Sequence, residues 1–132
     1  MRGLRLVLVT ALLLGCGDGA VAPGGDATGL YSLRSVNGKA VPYEIVGGPG
    51  QGVEITTRTL FLRSDGTFLD RVMLRFTEGD VSLETVASRE GLFRFSSPDL
   101  TLDDENGWGA SGRLDRGVLT VNDGGVIFEL TR

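Results

Sequence analysis

The chain has 132 residues, with 13 Lys plus Arg against 17 Asp plus Glu, one Cys and no His. That length suits one domain. The missing His removes imidazole acid–base chemistry, Ser–His triads and His-ligated metals, and a single Cys removes internal disulfides and thiolate metal sites. The net charge of −4 opposes binding to a nucleic-acid backbone.

Met1 to Arg5 form a short basic start, and Leu6 to Leu14 an apolar run broken by Thr10 and Ala11. A span of a bilayer needs about 20 apolar residues, so this run reads as a secretory core segment. It ends in Leu13-Leu14-Gly15-Cys16, which resembles the lipobox of bacterial lipoproteins. The resemblance implies cleavage before Cys16, acylation of its sulfur and its amine, and a membrane anchor of two or more chains. Residues 1–15 are then a signal peptide and 16–27 a flexible tether rich in Gly, Ala, Pro and Asp. Losing Arg2 and Arg5 takes the formal charge from −4 to −6, so anionic lipid would not hold the domain flat by charge. Gly17 follows the Cys, with Asp18 one place further, and by resemblance this leans to the outer membrane, facing the periplasm.

From residue 28 to 132 no helical period exceeds a turn. Short alternating segments are expected at Gly29–Val36, Val53–Arg63, Thr67–Phe76, Val81–Phe95, Leu100–Asp103, Gly109–Leu114, Val118–Val121 and Val126–Thr131. Asp65-Gly66, Glu78-Gly79, Ser97-Pro98, Arg116-Gly117 and Asp123-Gly124 punctuate them as turns. Two-residue loops at these sites pair Phe61 with Asp70, Phe76 with Val81, Phe95 with Leu100, Leu114 with Leu119 and Val121 with Val126. One apolar face then runs through all the hairpins. It makes Leu74, Phe76, Phe93, Phe95, Leu119 and Phe128 core, and turns Arg58, Arg71, Arg75 and Thr120 outward. Val81–Phe95 is long for one strand, and a kink or bulge is expected at Ser88–Gly91, where Arg89 would otherwise point inward. With no helix to cover a one-sided sheet, the fold class is all-β: an antiparallel up-and-down meander closed into a barrel of about eight strands. A two-sheet sandwich is the alternative.

Gly29-Leu30-Tyr31-Ser32-Leu33, the long first loop, Asp65-Gly66-Thr67-Phe68 and the final Arg132 resemble small bacterial lipocalin-like domains of the calycin type. The resemblance implies an eight-stranded cup for an apolar ligand. Tyr31 stands where lipocalins carry Trp, and Arg132 is placed to pack over its ring.

Trp108 shares parity with Ala110, Gly112 and Leu114 and is expected to point inward. A cavity lined by Phe61, Phe93, Phe95, Trp108 and Phe128 is one reading; a filled barrel is the other. Asp70 is expected on the inner face, forming a rim ion pair with Arg63 or holding a ligand's polar head. The loop Asn37–Gly52 would sit over one mouth, with Tyr43, Ile55 and Phe76 as first contacts for an entering molecule. Asp103-Asp104-Glu105-Asn106-Gly107 lacks calcium-loop spacing and reads as a solvated turn, so no metal is implied. No spaced carboxylate pair or nucleophile–base set is visible, so no enzyme and no cofactor are expected. Two roles remain open. One is a lipid-anchored barrel binding an apolar or amphipathic small molecule. The other is an interaction or structural lipoprotein with a filled core, acting through its surface and the 37–52 loop.

Overall fold

The computed structural model describes residues 27–132. The expected signal peptide, Cys16 and the expected tether as far as residue 26 lie outside the described residues. Ten strands follow in order: β1 Gly29–Val36, β2 Lys39–Ala40, β3 Tyr43–Gly48, β4 Gln51–Leu62, β5 Thr67–Glu78, β6 Val81–Ser96, β7 Asp99–Asp104, β8 Gly109–Asp115, β9 Val118–Asp123 and β10 Val126–Thr131. Each of β4 to β9 pairs antiparallel with the next. β1 closes the ring by pairing with both β10 and β4. The result is the expected eight-stranded closed meander.

The closing seam is short. β1 meets β4 only from Gly29↔Leu62 to Ser32↔Thr59. Beyond it the two strands part: β1 takes β2 as neighbour, and β4 takes β3. The segment Asn37–Gly52, expected as a loop, is therefore largely strand. Asn37 ties it down, since its amide donates to the Ile127 carbonyl and its side-chain oxygen accepts from the Ile127 amide. β4, β5 and β6 also outrun the barrel: β6 pairs with β5 from Val81 to Leu92 but with β7 only from Gly91 to Ser96. The barrel thus opens at one end into a four-stranded flare, β3–β4–β5–β6.

The other end is closed and filled. Tyr31, Leu60, Leu62, Phe68, Phe93, Leu100, Leu102, Leu119, Val121, Phe128 and Leu130 are buried there, with Ala27 beneath them. Tyr31 donates its hydroxyl to the Ala27 carbonyl at 2.7 Å. The Arg132 guanidinium stands 5.6 Å from the Tyr31 ring centre, the stacking the resemblance implied.

Three hairpin registers depart from expectation. The β4–β5 connection is a three-residue loop, not a two-residue one: the Arg63 amide donates to the Thr67 carbonyl, the Gly66 amide donates to the Arg63 carbonyl, and Gly66 takes φ +87°. That left-handed position suits glycine. Asp65 accepts from the Thr67 amide and hydroxyl, bonds that hold its carboxyl below the usual carboxylate range. Leu60, not Phe61, therefore faces Asp70, and inside and outside exchange along lower β4. A bulge at Thr56 restores the expected parity above it, so Ile55 still points inward. Between these two devices Phe61 turns outward at 40% exposure, and Arg58, expected on the surface, is buried. The β5–β6 and β9–β10 turns are Gly79-Asp80 and Gly124-Gly125, so Phe76 meets Leu83 and Val121 meets Phe128. Each turn sits one position later than expected, which moves every partner by two. A shift of two keeps every face. The Ser97-Pro98 and Arg116-Gly117 registers stand as expected.

β6 carries no bulge against β5. What accommodates its length is Gly91: a Cβ there would strike the Asp103 carbonyl and lie 2.8 Å from the Phe68 ring. Only glycine lets β7 approach so closely, and Arg89 does point inward.

Candidate functional site

Where the flare meets the barrel, the inner face carries charge. Arg58 on β4 and Asp70 on β5 are both 2% exposed and bond through two contacts, Nε to Oδ1 at 2.9 Å and Nη2 to Oδ2 at 2.8 Å. The rim pair expected between Asp70 and Arg63 is thus replaced by a buried pair with Arg58. Isolated, either charge would be costly in the interior; the fork-to-carboxylate geometry satisfies both.

The pair is the centre of a larger network. Asp123, at the end of β9, lies 3.6 Å from Arg58 and accepts the Trp108 indole N–H at 3.0 Å. Arg89 on β6 reaches Asp104 at 3.4 Å and sits 3.8 Å from the Trp108 ring centre. Asp104 also accepts the amides of Asn106 and Trp108, which fixes the β7–β8 turn. The acidic run read as a solvated turn therefore contributes a working carboxylate. Arg58 stacks 4.3 Å from the Phe128 ring centre. Every buried side-chain polar atom among the described residues has a partner. The outcome is a charged floor across the barrel, roofed partly by Trp108, Arg89 and Asp123.

Above this floor the flare presents an apolar wall. Cross-strand pairing puts Val46, Val53, Phe76 and Leu83 in one row. Tyr43, Ile55 and Leu74 form the next row down. Both continue the luminal face. Phe76, expected in the core, is instead 41% exposed, because no strand or loop among the described residues covers it. Val46, Val81 and Leu83 are also exposed. A cleft of about 520 Å³ lies on this wall, bounded by Val46, Val53, Phe76, Val81 and Leu83. The opposite face of the same strands is mixed, with Arg75 bridging Glu54 and Glu84 beside the pair Met73 and Val86. A second cleft, of about 550 Å³, runs outside the barrel between Arg63, Leu92, Arg94 and Glu105.

The eight aromatic and aliphatic residues expected at the site divide by height. Tyr43, Ile55 and Phe76 do come together on the flare. Phe93, Phe95 and Phe128 are in or against the filled core. Trp108 points inward as expected, but Phe68 packs against it with ring centres 6.1 Å apart. Leu100 and Leu119 close on Gly112. Of the two readings for the interior below the indole, the filled barrel is the one that holds. Phe61 lies outside, beneath the Arg63 guanidinium. Sequence reasoning missed Arg58, Arg89, Asp104 and Asp123. Arg89 was the legible one, since its odd number already pointed it inward.

Comparison with known proteins brings nothing further: no family model, no curated protein and no solved structure matches this chain.

Proposed function

We propose that this chain is a bacterial lipoprotein, anchored through acylated Cys16 in the outer membrane and facing the periplasm, whose lipocalin-like barrel binds an amphipathic small molecule at its flared end. One observation carries the reading: the uncovered row Val46, Val53, Phe76 and Leu83 rises directly above a charged floor. An apolar tail would lie on the wall, and a polar head would meet Arg89 and Asp123. The cup implied by the resemblance narrows to this upper region, because side chains fill the barrel below. The role is one of binding, without chemistry on the ligand.

Titration with an environment-sensitive apolar dye, read also through Trp108 fluorescence, tests the site. Saturable binding that weakens at least tenfold in Phe76→Arg, with circular dichroism unchanged, is the expected result. The anchor is tested separately: Cys16→Ser should abolish fatty-acid labelling and release the protein from membranes. The filled lower barrel favours a second reading, a surface-acting interaction lipoprotein. Absence of saturable binding for the dye and for a panel of small lipids would select it.

A further inference from the structure

The upper half of β6 is an open sheet edge. β5 pairs with β6 on one side from Val81 to Leu92, whereas β7 begins on the other side only at Gly91. Among the described residues, no strand lies beside Val81–Glu90 on that side. The two-residue turn Gly79-Asp80 makes Glu78 and Val81 a hydrogen-bonded pair, so odd-numbered residues of β6 bond towards β5. Phe93, also odd, donates its amide towards that side, to Gly66 at 2.9 Å. Ser82, Glu84, Val86 and Ser88 therefore aim their N–H and C=O groups at the vacant edge.

The stretch has few of the features that blunt such an edge. It contains no Pro and no Lys, and its ladder with β5 has no bulge. Val81, Leu83 and Val86 are all more than half exposed.

We propose that this edge pairs antiparallel with the same edge of a second copy, joining two flares into one continuous sheet around a two-fold axis at Thr85. Charge and space select that register. Moving the axis to Glu84 would set two glutamates directly opposite each other. Moving it to Val86 would bring the second copy's Val81 opposite Gly91, a place Asp104 already holds. With Thr85 on the axis, Ser82 faces Ser88, Glu84 faces Val86, Leu83 faces Ala87 and Val81 faces Arg89; beyond this last strand pair Asp80, in the turn, comes opposite Glu90. The two-fold axis stands perpendicular to the sheet, so the two apolar walls fall on the same side. Each copy then extends the other's wall: Leu83 of one continues into Ala87 of the next. The pairing stands independently of whether a small molecule binds, and dye titration and the assays below fail separately.

Thr85 facing Thr85 is a non-hydrogen-bonded pair, with an expected Cα separation of about 4.5 Å, within the range a disulfide spans. Full-length Thr85→Cys, produced in an oxidising envelope, should run as a covalent dimer on a non-reducing gel. Its yield should exceed at least tenfold that of wild type and of Ser111→Cys, a control on the exposed face of β8. Adding Val86→Pro removes an edge-facing N–H without touching the β5 ladder. It should cut the crosslink at least tenfold while circular dichroism stays unchanged. Light scattering of the wild-type protein in detergent should give two copies per particle. One copy per particle, or Thr85→Cys crosslinking no better than Ser111→Cys, would overturn the proposal.

Discussion

The closed end and the flare are built from the same strands and behave as different materials. At the closed end, inward residues of β4 and β5 meet partners from β1, β9 and β10, and Leu60, Leu62 and Phe68 are almost wholly buried. Further along β5, Phe76 points to the same side and finds nothing opposite among the described residues. The alternation of inward positions along β5 runs unbroken through both places. Closure makes the difference: β1 seals against β4 for four residue pairs and then departs with β2. An apolar stripe in a strand states which side faces inward. Whether that side is covered depends on the neighbour across the barrel.

The largest contrast should appear when one phenylalanine from each region is truncated. Phe68→Ala removes a fully buried ring packed on Trp108, and a loss of about 3–5 kcal/mol is expected. Phe76→Ala should cost less than about 1 kcal/mol, since much of its ring is already in water. Urea unfolding of both variants measures the difference. Similar losses would mean that the flare is covered in solution.

The boundary between the regions can be probed through its buried ion pair. Arg58→Met strands Asp70 in the interior and should destabilise by about 3–5 kcal/mol. Arg58→Met with Asp70→Leu removes both charges together and should recover most of that loss. Asp123 and Arg89 limit the recovery, because each also leans on this pair. A double-mutant cycle in urea supplies the coupling energy. If the double variant were as unstable as Arg58→Met, the pair would owe its place to packing rather than to mutual neutralisation.

How far these regions were legible in the sequence follows the turns. All eight barrel strands could be read from alternation, and the eight-stranded meander from the shortness of the connections between them. Where a turn was two residues long at the expected place, as at Ser97-Pro98, the pairing of Phe95 with Leu100 was readable too. Where the turn slid along the chain and moved its partners by two, as at Asp123-Gly124, faces survived because the pleat repeats every second residue. The β4–β5 connection defeated the reading: a three-residue loop inverted lower β4, and the bulge at Thr56 inverted it back. Neither leaves a mark in hydrophobic pattern, since Arg58, Thr59, Leu60 and Phe61 alternate poorly on either assumption. The charged floor stayed hidden for the same reason. Arg58 looked like a surface residue, and its partners Asp70 and Asp123 are remote in sequence.

A last effect, small at neutral pH, is expected at Tyr31 on the closing strand β1. Its ring is fully buried and its hydroxyl donates to Ala27, with the Arg132 guanidinium over the ring. Burial pushes the phenol above the ordinary tyrosine range, and the positive charge of Arg132 offsets only part of that rise. A raised value means that the folded protein favours the neutral phenol more strongly than the unfolded chain does. The resulting stabilisation is complete below about pH 10, where the unfolded phenol is still protonated, and is lost as pH rises through the folded-state value. Tyr31→Phe should therefore cost about 1 kcal/mol at pH 7, through the missing hydrogen bond. The gap to wild type should then narrow above pH 10, because the variant has no phenol to ionise. Arg132→Ala should act in the opposite sense at high pH: without the cation the phenol rises further, so the part of the alkaline decline due to Tyr31 becomes larger. Urea midpoints measured from pH 7 to 11 distinguish the three proteins. A wild-type decline that persists unchanged in Tyr31→Phe would assign alkaline sensitivity to another part of the barrel.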